Sequence, residues 1–273
     1  MKDRRLSLPG MLLPTGVHSI PGRQYKKGLS CIIPLKHRIQ KRSLHVSHLI
    51  VKTYEEASRT VEQLGILPLS SFIPAHPSLD AITEPAAWHT GTETDPWHWR
   101  DRFASEGIAA YGRFIGTRPS LIARGVFPLV KCLLNSPQTV KERYEAGLVA
   151  RSTVQVYEVI QQNQGIEVRA LRKQAGMQDK VDKNAFDHAL IDLQNTADIV
   201  ISGVAENRDA QGNKSGWNGT CYMLAERWME EHGVKPVQLS PAEARTQLFA
   251  WLKPRWEEQA VLYLQQRLAP FSS

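Results

Sequence analysis

Apolar and polar positions in this chain recur with two different periods, and the sharpest change of period falls between Phe186 and Met229. Phe186, Ala189, Leu190 and Leu193 recur at helical spacing, whereas Ile199 and Ile201, then Tyr222 and Leu224, recur at every second position. The pattern predicts a helix over 183–194 capped by Asp182, followed by a hairpin of strands 197–202 and 220–225, each with one buried face. Earlier in the chain a similar order is legible. Thr53 and Glu56 have the spacing of a capping box for a helix that runs to Leu64 and stops at Gly65. Asp95 before Pro96 predicts a helix over 96–105, and Ile108–Ile115 pairs with Ser120–Ala123 across a turn at Gly116–Thr117.

About a hundred residues separate two matching starts. Ser152 and Gln155 have capping spacing for a helix carrying Val156, Val159 and Ile160; Gly165 ends it and Ile166 follows, as Ile66 follows Gly65. A short helix over Val168–Ala175 comes next. A helix that leads into a long-tipped hairpin is the second half of a winged helix, so the repetition predicts two such units. The expected class is mainly α with small β-hairpins (α+β): tandem winged-helix units plus C-terminal helices. The expected division is a basic disordered arm over 1–47, a first unit over 48–135, a linker helix from Ser136–Pro137 with a second unit over 136–232, and a helical tail over 233–273. In that tail Ser240, Pro241 and Glu243 signal a helix through Leu252, and a second runs from Trp256 to Leu268.

Charge sharpens this picture by its distribution rather than its total. The formal net charge is +7, but residues 1–52 carry eleven Lys or Arg and one acid, a net of +10, and the remainder nets −3. Affinity of the core for phosphate must therefore come from a local patch. The arm itself reads as a phosphate grip, a solvated tail, an over-long start or an organelle leader. Cys31, Cys132 and Cys221 are far apart and form neither a metal-ligand nor a disulfide pattern, which fits a reducing cytoplasm. No apolar run approaches the roughly 18 residues of a membrane span. The expectation is a cytoplasmic protein without membrane partner, metal or other cofactor.

Three segments, LGILPLSSFIPAHPSL (64–79), IAAYGRFIGTRPSLIARGVFPL (108–129) and ALIDLQNTADIVISG with TCYMLAERW (189–203, 220–228), together resemble the AlkZ-type tandem winged-helix DNA glycosylases, and among them the divergent AlkZ-related proteins. The resemblance covers roughly 53–230. It implies binding of duplex DNA in a channel between winged helices and metal-independent hydrolysis of the N-glycosidic bond of alkylated purines, especially N7-substituted ones. The family positions water with a Gln-x-Gln or Gln-x-Asp pair. Pro68 and Ser70 stand in those places here, and proline has no side-chain hydrogen bond to give, so that signature does not carry over. Ser70 remains as a short partner for water.

The densest candidate chemistry is WHTGTETDPWHWRD (88–101). Indoles beside cations suit a base-stacking pocket, with Trp97 and Trp99 as platforms and Arg100 and Arg102 as phosphate or cation partners. On a helix from Pro96, Trp97 and Asp101 share a face, as do His98 and Arg102. An indole and a carboxylate on one face offer a substitute for the missing glutamines, which makes Asp101, with Asp95 and Ser70, the catalytic candidate. The same tryptophans also fit core anchors, and the aspartates fit helix caps or salt-bridge partners. Arg113 and the turn residue Arg118 in the first hairpin, and Lys214 and Trp217 at the tip of the second, are candidates for DNA contact.

The helix over 183–194 carries Asp187 and Asp192 against Lys183, a poor face for reading a major groove. Binding in a channel between the units, or to a protein partner, is therefore favoured over operator reading. Two functions stay open: a winged-helix protein for double-stranded DNA, damaged or intact, in a repair setting, and a non-catalytic regulator or protein-interaction adaptor.

Overall fold

In the computed structural model, which describes residues 49–207, 211 and 218–268, Thr53 and Glu56 do form a reciprocal capping box that starts helix α1 (Tyr54–Leu64). The expected arm and the candidates Lys214 and Trp217 lie outside the described residues. Gly65 ends α1 with φ of 75°, and a Cβ there would sit 2.4 Å from the Trp251 ring. Strand β1 (Ile66–Pro68) follows at once. Asp95 caps α2 (Pro96–Ser105), which leads into β2 (Ala109–Ile115) and β3 (Arg118–Ala123), joined at Gly116–Thr117 as the sequence predicts.

Helix α3 (Phe127–Leu134), which the periodicity did not single out, comes next. The linker helix α4 spans Val140–Glu145 rather than starting at Ser136, because Thr139 and Glu142 make the capping box while Ser136 Oγ accepts from the Gln138 N–H at 3.1 Å. Helix α5 (Arg151–Gln162) starts with Ala150 at its cap, so the predicted cap Ser152 lies inside it. Then come β4 (Ile166–Glu167), α6 (Val168–Gln174) and α7 (Lys183–Asn195), whose N-cap Asp182 makes no side-chain capping bond. Strands β5 (Ile199–Ala205) and β6 (Gly219–Leu224) form the second hairpin; α8 (Ala225–Glu231), α9 (Pro241–Leu252) and α10 (Glu258–Arg267) close the described chain.

Among the described residues six strands join one antiparallel sheet in the order β1-β3-β2-β5-β6-β4. Read from either edge inward, each half repeats the same arrangement, an edge strand that follows a helix and then a hairpin. The described residues belong to one compact unit, and the halves meet where Tyr111 of β2 pairs with Ile201 of β5. Registered neighbours Leu67, Leu121, Tyr111, Ile201, Tyr222 and Ile166 make a row across every strand. That row lies in one apolar cluster with residues of α1, α2, α5, α6 and α7. The alternate positions Ile66, Ile122, Ala110, Val200 and Met223 lie in a second cluster with α3, α8, α9 and α10. The expectation of strands with one buried face is corrected: helices cover both faces, and the sheet is the middle of three layers.

Helices cross the seam. Helix α2 packs on β5 as well as on its own β2, and α7 packs on β2. Buried Gln194 of α7 accepts from the Arg113 N–H at 3.1 Å and donates to the Leu190 carbonyl at 2.6 Å. Near the start of β5, Asp198 receives both the buried Arg143 guanidinium and the Thr196 hydroxyl at 2.5 Å. Further on, Trp256 Nε1 donates to the Leu64 carbonyl at 2.8 Å, and His76 stacks on Trp256 with centroids 3.8 Å apart while its Nε2 donates to the Ile66 carbonyl at 2.9 Å. Among the described residues no helix is long and apolar enough to cross a membrane.

Two stability measurements test this account. Gly65→Ala is expected to cost about 2 kcal/mol or more in urea unfolding, since it combines a left-handed backbone with overlap on Trp251. Burial lowers the His76 pKa from 6.5 to about 4, so the folded state prefers the neutral ring. Stability from this group is complete above pH 6.5 and is lost as pH falls toward 4, by an amount on the order of 3 kcal/mol. In His76→Gln that component of the acid sensitivity should be absent from unfolding curves taken across the same window.

Candidate functional site

The site is organised by α2, which is held at both ends. At its start Asp95, fully buried, accepts from the backbone N–H groups of Trp97 at 2.9 Å, Gly91 at 3.0 Å and His89 at 3.1 Å. Burial alone would raise its pKa, but these three donors outweigh it and the carboxyl is held below the usual range. At the other end Trp228 Nε1 of α8 donates to the Ala104 carbonyl at 2.8 Å, and Gly107 admits the His232 ring where a Cβ would be 2.4 Å from it. In the middle Trp99 is 1% exposed and its Nε1 donates to the Glu93 carbonyl at 2.8 Å. Trp99 is therefore a core anchor, and the expectation that it stacks a base is corrected by its burial.

So fixed, α2 turns Trp97, Arg100 and Asp101 into the space above the seam. Arg100 lies over the Trp97 indole, its Cζ 3.3 Å from the ring centroid, and its Nε is 3.5 Å from Asp101 Oδ1. These three side chains line a cavity of about 680 Å³ together with His89, Asp95, His98, Val204, Asn218 and Thr220. A second cavity of about 350 Å³ shares Trp97 and Arg100 and is floored by Tyr111 and Ile201, the two residues that pair across the seam. Ser70, Asp80, Trp88 and Arg113 line its sides. His89, at φ of 60°, sets its ring 4.7 Å from Trp97 and 6.3 Å from Trp88.

Asp101 differs from Asp95 in kind. Its side chain is 12% exposed, and desolvation raises its pKa although Arg100 and His98 oppose the shift. Tyr111 is likewise raised by burial, with Arg100 opposing. A carboxyl made more basic by desolvation beside a stacked guanidinium is of the kind that a general acid or base requires.

The other candidates fall in different surroundings. Arg102 stacks on Tyr54 at 3.9 Å and pairs with Glu106 at 3.0 Å and Glu93 at 3.4 Å, so the charge meant for phosphate is already countered. His98 faces the larger cavity while Arg102 does not, although the two are one helical turn apart. Arg113 reaches the smaller cavity with its guanidinium donating to the Thr117 carbonyl at 2.6 Å. Arg118 is exposed at the hairpin turn. Ser70 reaches the smaller cavity, on a segment tied down by bonds from Leu79 N–H to the Pro68 carbonyl at 2.8 Å and Asp80 N–H to the Leu69 carbonyl at 3.1 Å.

That fold-back brings in Asp80, which sequence reasoning missed; Ser78 donates its hydroxyl to the Asp80 carboxylate. No local pattern marks Asp80, because only the pairing of 79–80 with 68–69 places it beside Ser70. A larger cavity of about 1190 Å³ lies elsewhere, between α3, α8 and the segment before α9. Its walls are mainly apolar, and most of its charges are paired with one another, Lys131 with Glu226 at 2.6 Å and Arg227 with Glu230 at 3.0 Å, so the convergent chemistry is at the seam. Among the described residues no group of three or more His, Cys, Asp or Glu is placed to hold a metal ion.

A family model described as AlkZ related matches residues 51–269. No curated protein and no solved structure matches the chain.

The raised pKa of Asp101 makes a stability prediction independent of any ligand. Its contribution is fully present below the unfolded carboxylate range and is lost as pH rises through the folded value. Asp101→Asn should therefore melt at the same temperature as the parent or slightly above it at pH 7, with the gap closing toward pH 4. A loss of several degrees at pH 7 would mean that the charged form is what the fold uses.

Proposed function

Since the chain belongs to the AlkZ-related family, we propose that it is a tandem winged-helix protein that binds double-stranded DNA and admits a displaced base into the cavity at the seam. The observation that carries this reading is the convergence, on one face of α2, of an indole, a guanidinium and a desolvated carboxyl above the Tyr111–Ile201 junction. Support for the winged-helix description comes from the strand order, in which β1-β3-β2 and β4-β6-β5 repeat the helix, edge strand, helix and hairpin sequence. Stacking on Trp97 supplies affinity for a base of any identity, and Arg113 and Arg118 along the first hairpin supply phosphate contacts.

In this reading the hydrolytic role passes from the family's glutamine pair to Asp101. Pro68 presents only a carbonyl, which already accepts from Leu79, and Ser70 lies on the opposite side of Trp97 from the larger cavity. Ionised Asp101 stands near the cationic sugar as the glycosidic bond breaks and the base leaves with its electron pair; water then adds through its oxygen to the anomeric carbon and gives its proton to the Asp101 carboxylate. A non-catalytic binding protein is the second reading, favoured by the same blocked Pro68.

Fluorescence anisotropy of the full chain on an intact duplex and on the same duplex with an abasic-site analogue, at two salt concentrations, tests the first part. The analogue should bind about tenfold tighter, and Trp97→Ala should reduce affinity for a duplex carrying an unpaired base by roughly tenfold. Equal, wholly salt-suppressed binding to all duplexes would leave only phosphate attraction and overturn the proposal. Alkali-labile sites formed on an alkylated duplex by the parent and lost in Asp101→Asn would assign hydrolysis; binding without such sites would select the second reading.

A further inference from the structure

The indole that would receive a base is already covered by a cation from its own helix. Arg100, one turn after Trp97, sets its guanidinium 3.3 Å from the ring centroid, the separation of a close stack. Trp97 and Arg100 are also the two residues common to the linings of the 680 Å³ and 350 Å³ cavities. The stacked pair therefore stands between them, with Asp101 on one side and Tyr111 and Ser70 on the other. Arg100 Nε is buried without a short hydrogen bond and forms an ion pair with Asp101 Oδ1 at 3.5 Å, and the same guanidinium interacts with Tyr111.

We propose that Arg100 is a gate that occupies the face of Trp97 and closes the passage between the two cavities until a planar heteroaromatic base takes its place. The guanidinium is flat and about the width of a six-membered ring, so it fills the face a base would cover. Once it swings off the indole the two cavities become continuous, and Asp101, Tyr111 and Ser70 border one space. The freed cation is then available to a phosphate of the strand from which the base came, so base entry and backbone capture exchange the same side chain between two partners. The identity of the ligand as a base rests on the DNA-binding reading above, whereas the closed state of the indole does not.

The test uses no DNA. Caffeine, a neutral planar purine without phosphate, is titrated into the full chain and tryptophan fluorescence is followed. Parent, Arg100→Ala, Arg100→Gln and the double variant Trp97→Leu/Arg100→Ala are compared, with melting curves to confirm that each is folded. Both single variants should bind caffeine roughly tenfold tighter than the parent, the size of one displaced cation–π contact, and the double variant should lose that gain. Two different replacements are included so that a folding defect in one leaves the other to decide. Unchanged affinity in both, a gain that survives loss of Trp97, or weaker binding in both would overturn the gate; the last would make Arg100 a ligand contact. A gain that depends on Trp97, found together with no DNA binding in the anisotropy experiment, would keep the gate and overturn the DNA reading alone.

Discussion

The pairing of Tyr111 with Ile201 is the constraint on which the arrangement of this molecule rests. It is where two hairpins far apart in sequence become one sheet. Each strand also shifts register just past the junction, β2 between Gly112 and Ile115 and β5 between Ile201 and Gly203. Such shifts bend the strands and free backbone groups that ordinary pairing would have used. The Arg113 N–H accordingly goes to Gln194 of α7, and at Gly203 the backbone comes close enough to α2 that a Cβ would be 3.5 Å from Ser105. Each half thus lends a helix to the other. The floor of the candidate site, Tyr111 and Ile201, is the junction itself, so a slip of one residue there would turn both side chains to the opposite face.

Above that floor, two aspartates six residues apart show how environment divides a single residue type into two tasks. Asp95 is the more buried, yet three backbone N–H groups hold it ionised and commit it to the start of α2. Asp101 is less enclosed but lacks such donors, and desolvation carries it the other way. Desolvation acts upward on both; it prevails at Asp101 against Arg100, and is outweighed at Asp95 by the main-chain hydrogen bonds, with the charge of His98 acting downward on each. The split resembles the division between a fixed charge and a movable proton in acid–base sites generally. It also means that loss of Asp95 would be felt through the position of Trp97 rather than through its own chemistry.

Much of the local order was legible in the sequence because its signals are short-range. Thr53 with Glu56, Asp95 with Pro96, and Gly116 after a run of β-formers each determine their structure within a few residues. The juxtaposition of Trp97 and Asp101 also followed from helical spacing. Less was legible where distant segments decide. Trp97 and Trp99 carry the same chemistry, and only the packing of α2 against the sheet makes one a wall of the cavity and the other part of the core. The second buried face of the sheet was hidden because its cover comes from helices that follow the hairpins, α3 and α8, and from α9 and α10 of the tail. Gln194 and Asp80 gave no signal at all, since each gains its place through a partner strand rather than a neighbour.

The hydrogen bond from Trp256 to the Leu64 carbonyl joins residues 192 positions apart, and Trp251 rests on Gly65 beside it. A chain emerging residue by residue from a ribosome can form α1 early, but the end of that helix has to wait for a closing piece that is made 192 residues later. Until α9 and α10 arrive, the apolar side of β1 and β3 has only part of its cover, from α3 and α8. Folding of the first half is therefore postponed by the order of synthesis, and chains cut short before the tail would expose the surface that chaperones and proteases recognise.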